Sequence, residues 1–174
     1  MPTRVPRQSK EAAKGSTPAR RRETKAERAD RNMGELLQEL RVALPGVQIL
    51  FAFLLTVPFA QGFTTLNGDQ REHYFGVLMA TALSTALLIA PSAHHRLLFR
   101  QRDKEHLVKI SNRLTIAGLL VLAVAITGAV LLIADFLFQG AQAAIFAVVA
   151  ALFFVVLWVV MPLIRRAQLK ESER

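Results

Sequence analysis

The chain alternates between long apolar runs and short polar breaks, and this pattern predicts four membrane-spanning helices. The runs cover residues 45–63, 74–93, 114–138 and 141–164. Each is close to the roughly 20 residues that cross a hydrocarbon core about 30 Å thick in helical form. Buried helices of a soluble protein are shorter and carry polar stripes. We therefore predict an all-α fold, a four-transmembrane-helix bundle.

The region before the first run has two parts that differ in pattern. Residues 1–23 are rich in Arg, Lys, Pro and Ser and cannot bury enough apolar surface to offset chain entropy, which predicts a disordered basic tail. From Thr24 to Leu44 apolar residues recur at helical intervals, and Thr24 and Glu27 have capping-box spacing. We predict an amphipathic helix over 24–44 that lies on the membrane surface. The alternative is that this helix packs against the protein's own cytoplasmic loops.

Prolines and small residues add detail to the spans. We expect Pro58 to kink the first span near its end and Pro91 to close the second. Small residues at four-residue spacing favour close packing between helices in a membrane. They include Gly76, Ala80 and Ser84 on the second span and Ala143, Ala147 and Ala151 on the fourth. Ala117, Ala125 and Ala129 lie along one face of the third span.

Charge is distributed as unevenly as hydropathy, and its distribution predicts the orientation. The net charge is +9, yet Arg71 is the only one of the 22 Lys and Arg residues in the connections that follow the first and third spans. The others precede the first span, join the second span to the third, or lie in the tail at 165–174. By the positive-inside rule, both termini and the central connection are predicted to be cytoplasmic.

Asp135 is the only carboxylate inside a predicted span. It lies roughly 30 Å along the third helix from Leu114, at the outer edge of the hydrocarbon. Its carboxylate is interpreted either as a group that binds and releases a proton or cation, or as one that reaches the headgroups or caps the neighbouring helix. Gln48, at the cytoplasmic side of the first span, is a second candidate ligand or an interhelical hydrogen-bonding group.

Cations outside the spans predict contact with anionic lipid headgroups, because each contributes about 1 kcal/mol near the surface. The residues predicted to contact headgroups are Arg20, Arg21, Arg22, Arg96, Arg100, Arg102, Arg165 and Arg166. Nucleic-acid binding is not expected, since the tail offers neither aromatic stacking nor a recognisable motif. No metal site is expected, because there is no Cys and the histidines lack ligand spacing. Phosphate-binding loops and nucleophile motifs are missing too, so we expect neither a cofactor nor enzyme activity.

Several stretches of the chain resemble a family of uncharacterised small bacterial four-helix membrane proteins. They are RNMGELLQELRV at 31–42, GVQILFAFLL at 46–55, Ala90-Pro91, His94, His95-Arg96, Phe99-Arg100 and TGAV at 127–130. The resemblance extends from about Ala29 to the fourth span and implies a location in the bacterial plasma membrane. Some similar proteins are labelled sodium/proton antiporter, which implies sodium ion and proton as ligands.

Two hypotheses about function follow. The first is a non-catalytic membrane protein, structural or regulatory, whose cytoplasmic face meets anionic lipids or a protein partner. The second is a small secondary transporter of the sodium/proton antiporter type, acting as a homo-oligomer, with Asp135 as its ion-binding acid. The position of Asp135 near the edge of the membrane favours the first, because transporters hold such acids near the midplane. The resemblance favours the second.

Overall fold

A computed structural model describes residues 24–98, 104–138 and 140–172. Over these residues the chain has four helices long and apolar enough to cross a membrane, and it has no strand. The four helices cover Glu27–Phe59, Gly68–Leu97, Glu105–Phe138 and Ala141–Glu171. This confirms the predicted all-α fold with four spans. The tail predicted at 1–23 lies outside the described residues.

The helices follow one another as two hairpins. Helix α1 (Lys25–Thr56) leads through short 3-10 turns at Val57–Phe59 and Gln61–Thr65 to α2 (Gly68–Leu98). Helix α3 (Lys104–Phe138) is followed by α4 (Ala141–Val155), a π-helical segment (Val156–Val160) and α5 (Met161–Ser172), which continue one another as a single rod. We call the end that holds the α1–α2 connection and the α3–α4 turn the turn end, and the opposite one the termini end.

Helix α1 merges two elements that the sequence predicted separately. Pro45 lies inside the helix, so no break separates the amphipathic segment 24–44 from the first span. The capping box at its start is present as predicted. The Thr24 hydroxyl accepts from the Glu27 N–H at 3.2 Å, and the Glu27 carboxylate accepts from the Thr24 N–H at 2.8 Å. These two bonds satisfy backbone donors that the first turn of a helix leaves without partners.

The apolar stripe on the first half of α1 is buried within the protein. Ala29, Met33, Leu36 and Leu40 are all less than a tenth exposed, and the last two belong to a core cluster with Leu88 of α2. We expected this stripe to lie on lipid, and the structure corrects that expectation. Leu88 of α2 and Leu122 of α3, the partners of the stripe in that cluster, lie within the predicted second and third spans, so the stripe packs against the bundle itself.

The two prolines act differently from the sequence expectation. Pro58 does not kink α1, because the helix ends at Thr56 and the proline lies in the 3-10 turn that follows. Pro58 has no N–H to donate to the Leu54 carbonyl, and the buried Tyr74 hydroxyl of α2 donates to that oxygen at 2.7 Å. Pro91 does not close α2, which continues to Leu98 with the proline ring fully buried. Packing by neighbouring helices makes such a proline tolerable in a membrane.

Helices α2 and α3 pack extensively along each other, and two glycines of α3 bring them close. A Cβ on Gly118 would lie 2.8 Å from Cγ and Cδ2 of Leu88, and one on Gly128 would lie 2.7 Å from Cγ2 of Val77. The buried Ser84 hydroxyl donates to the Gly118 carbonyl at 2.8 Å. Close backbones and polar contacts of this kind hold helices together in lipid, where no hydrophobic effect acts between them.

Among the described residues, the fourth rod packs against α3 alone, and mainly near the turn end. Among the residues of α4, only Ala143 and Ala147 are buried. The rings of Phe138 and Phe146 lie beside this contact, with centroids 5.2 Å apart. Every described side chain of α5 is exposed. The predicted small-residue face of α4 therefore packs against α3 over the first half of that helix.

Candidate functional site

A polar cavity of about 370 Å³ lies at the turn end, between the first turns of α2 and the last turns of α3. Its lining residues are Asn67, Asp69, Gln70, His73, Leu131, Leu132 and Asp135. The Asp135 side chain is partly buried there. The candidate acid from the sequence therefore lies in a formed polar site.

Gln70 holds the Asp135 carboxylate, and the local fold of α2 fixes how it does so. Asn67 and Gln70 form a capping box, in which the Asn67 Oδ1 accepts from the Gln70 N–H at 2.8 Å and the Gln70 Oε1 accepts from the Asn67 N–H at 3.2 Å. The Gln70 Nε2 then donates to Oδ2 of Asp135 at 2.7 Å. The Gln70 amide thus caps the start of α2 with its oxygen and joins α2 to α3 with its nitrogen.

His73 closes the inner side of the cavity. Its Nε2–H donates to the Gly128 carbonyl at 2.9 Å. This bond links α2 to α3 about one turn beyond Gln70 on α2 and about two turns before Asp135 on α3. Arg71, the one cation predicted for this end, is directed elsewhere, since its Nη2 donates to the Thr64 carbonyl at 3.1 Å. The lining therefore combines two carboxylates with amides and an imidazole, and this chemistry suits a small cation or a hydrogen-bond donor.

A metal centre is not formed by the described residues. Within 24–98, 104–138 and 140–172, no three His, Cys, Asp or Glu side chains are grouped so that they could hold a metal ion. The cavity has carboxylates at Asp69 and Asp135 and an imidazole at His73, and that imidazole is already bonded to a carbonyl.

The other predicted site residues lie apart from the cavity. Gln48 is exposed on α1 and does not line it, so the structure does not bring the two candidate ion ligands together. Arg96, Arg165 and Arg166 are exposed at the termini end, where a headgroup could reach them. Arg20, Arg21, Arg22, Arg100 and Arg102 lie outside the described residues.

Sequence reasoning missed three residues of this site, namely Gln70, His73 and Gly128. The predicted second span began at residue 74, whereas α2 begins at Gly68, so the first two were assigned to a loop. Asn67 and Gln70 have the spacing of a capping box, and that signal could have placed the start of α2 correctly. No comparable signal marks Gly128, because several glycines in the spans look alike in sequence.

A family described as "Family of unknown function (DUF6328)" matches residues 22–162. The chain belongs to this family. The match includes α1, α2, α3, α4 and the π-helical segment, and therefore the whole of the cavity. No curated protein and no solved structure matches the chain. Membership of DUF6328 agrees with the resemblance to an uncharacterised family. The family description names no transport activity, so the antiporter label gains no support from it.

Proposed function

We propose that this member of DUF6328 is a non-catalytic, multi-pass protein of the bacterial plasma membrane, with a structural or regulatory role exerted at its cytoplasmic face. The closed interior of the bundle is the observation that carries the proposal. Between residues 75 and 91 of α2, and between 114 and 134 of α3, no side chain is ionisable. Thr81, Ser84 and Leu88 fill the contact between these helices and are fully buried.

This interior supports a role other than ion exchange. An exchanger needs an acid that two ions reach alternately from the two sides, and well-understood secondary transporters hold it near the midplane beside broken helices. Asp135 lies about one helical turn from the end of α3 and is bonded to Gln70. Below it, the His73–Gly128 bond and the close approach of Val77 to Gly128 occupy the space between α2 and α3.

The charged surface lies at the termini end, which the positive-inside rule assigns to the cytoplasm. Exposed charges there include Glu35 and Arg41 on α1, and Arg166 and Lys170 on α5. We propose anionic lipid headgroups or a protein partner as the ligand of this face. A reporter fused after Gly140 should be external and one fused after Arg174 cytoplasmic, and the reverse result would overturn the assignment.

A second candidate function, sodium/proton antiport through Asp135, is favoured by one observation. The cavity of about 370 Å³ surrounds a partly buried carboxylate with hydrogen-bonding groups and includes no Lys or Arg in its lining. Such a site could accept a small cation or a proton from the turn end.

Transport in liposomes separates the two functions. Purified protein would be reconstituted with an imposed pH gradient, and pulses of sodium, potassium or lithium would be scored for proton release. The proposal expects no cation-dependent collapse of the gradient. Collapse that is lost in Asp135→Asn but retained in Asp69→Asn would overturn it and establish antiport. Asp135→Asn keeps an oxygen for the Gln70 amide, so its loss of activity would not reflect lost folding.

A further inference from the structure

An apolar groove of about 420 Å³ lies between α3 and the fourth rod, and it is separate from the polar cavity. Leu120, Val124 and Gly128 border it on α3. Phe154 and Trp158 are among the side chains that border it on the rod. It faces the region that lipid hydrocarbon would occupy, so its natural occupant is apolar.

The sequence of the rod explains why the groove opens where it does. The small-residue face that holds α4 against α3 includes Ala143 and Ala147, and bulky residues replace it towards the termini end. The Phe154 and Trp158 rings stack edge to face with centroids 5.0 Å apart. The π-helical segment Val156–Val160 adds a residue to the turn and rotates the following face. Neither that segment nor α5 approaches α3 closely over the residues that the structure describes.

Cations on both helices follow the groove at the termini end. Arg113 lies about two turns (roughly 10 Å) beyond Leu120 on α3, and Arg165 and Arg166 lie the same distance beyond the groove on the rod. All three side chains are exposed. The groove itself extends roughly 12 Å along α3, from Gly128 to Leu120. This length is close to the depth of one leaflet, half of a hydrocarbon core about 30 Å thick.

We propose that this groove is a binding site for an anionic phospholipid, with an acyl chain beside Trp158 and the phosphate headgroup on Arg113, Arg165 and Arg166. The apolar walls match the chain, and the cations match the headgroup charge. This site deepens the proposed function and rests on it, because that proposal also assigns anionic headgroups to exposed cations of the termini end. Loss of the groove site alone would leave the contact of that face with headgroups intact. A second copy of the protein fits less well, because symmetric pairing through the rod would bring Arg165, Arg166 and Lys170 of two copies together.

Trp158 makes the site directly measurable, since it is the only tryptophan in the chain and it lines the groove. The full protein would be reconstituted in phosphatidylcholine vesicles that contain a small share of phosphatidylglycerol with brominated acyl chains. Bromine quenches tryptophan fluorescence on contact. The reverse labelling, with bromine on phosphatidylcholine, gives the reference. We expect phosphatidylglycerol to be preferred at Trp158 by about fivefold for each cation that contacts the headgroup.

Two kinds of variant test the two halves of the site. Arg165→Gln with Arg166→Gln should reduce the preference towards that for phosphatidylcholine, whereas Arg71→Gln at the turn end should leave it unchanged. Ala151→Leu should block the groove and abolish the preference with all cations in place, whereas Val149→Phe on the exposed side of α4 should not.

Three results would overturn the proposal. Equal quenching by the two lipids in the unaltered protein would show that bulk lipid fills the groove. A preference that survives both kinds of variant would place the lipid elsewhere. Quenching that falls as the protein-to-lipid ratio rises, together with cross-links between copies at the rod, would show that a second copy occupies the groove.

Discussion

Two of the contacts that helix α3 makes with its neighbours, those with α2 and with α4, differ in kind. Against α2 it presents Gly118 and Gly128 at close approach, and side chains of α2 donate hydrogen bonds to both glycine carbonyls. Against α4 it packs on two buried alanines of that helix, Ala143 and Ala147. Beyond them the rod separates from α3 and an apolar groove lies between the two. Since apolar surface alone gives no preference for helix over lipid, close packing and polar contacts decide which helices stay together. A helix that lacks them along half its length leaves that half to lipid.

The largest effect is expected from closing the space at Gly128. Gly128→Ala places a methyl group 2.7 Å from Cγ2 of Val77, a branched side chain with little freedom to rotate. We expect a loss of about 1–3 kcal/mol in the free energy of unfolding, measured by SDS titration in mixed micelles. Gly76→Ala is the matched control, because nothing lies within 4 Å of its added Cβ. Equal stability of the two variants would mean that the α2–α3 contact is not tight.

The second effect tests the polar part of the same contact. Gln70→Glu keeps the capping box but places a carboxylate against Asp135, where the amide now donates at 2.7 Å. We expect a loss of about 1–2 kcal/mol, from the lost charged hydrogen bond and the new repulsion. Asp135→Asn in the Gln70→Glu background restores an amide donor opposite a carboxylate acceptor. This second change should recover most of the lost free energy of unfolding. Failure of this rescue would show that the two residues are not coupled.

The third effect tests the weaker contact. Ala147→Leu overpacks the buried face of α4. Within the part of the chain that the structure describes, the rod contacts only α3 and can move outward, so we expect a loss of about 1 kcal/mol at most. Distances between spin labels on α3 and α4 should lengthen, while those between α2 and α3 should not. Val149→Phe, on the exposed side of the same helix, should change neither. If Ala147→Leu lost as much free energy of unfolding as Gly128→Ala, the α3–α4 contact would be as tight as the α2–α3 contact.

The smallest effect is expected at the start of α1, outside both contacts. Hydrogen bonds from the Thr24 N–H and hydroxyl hold the pKa of Glu27 below its ordinary value. A lowered pKa in the folded state means that the stabilisation is present at neutral pH and is lost as the pH falls through that lowered value. The protection factors for amide hydrogen exchange in the first turn should fall at that acidic pH. Glu27→Gln should remove the pH dependence, and both helix contacts should stay unchanged.

The sequence predicted the number and the approximate positions of the spans, but not which faces meet. Hydropathy depends on composition within a window, whereas the rotation of a helix depends on its neighbours. The predicted small-residue face of α2 contains Ser84, which is buried, and Gly76, which is exposed. Gly118 and Gly128, which bring α2 and α3 closest, belonged to no predicted face.

The candidate site shows the same division. A carboxylate inside an apolar run is rare because its burial is costly, so Asp135 could be selected from the sequence alone. Its partner could not, because Gln70 is distant in sequence and lies where the predicted span had not yet begun. Gln48 was proposed as a neutral amide inside the first span, yet it is exposed on α1, since hydropathy does not say which side of a helix a polar residue occupies.

The turn at Gly140, with its φ of 66°, has a consequence for how the protein is made. Because so short a turn holds α3 and α4 side by side, the two helices can enter the bilayer together as one hairpin during synthesis. Residues 139 and 140 carry no charge that would have to cross. The covalent tether also keeps α4 at a high effective concentration beside α3. The short connection therefore keeps α4 next to α3 from synthesis onward, although the packing between the two helices is limited.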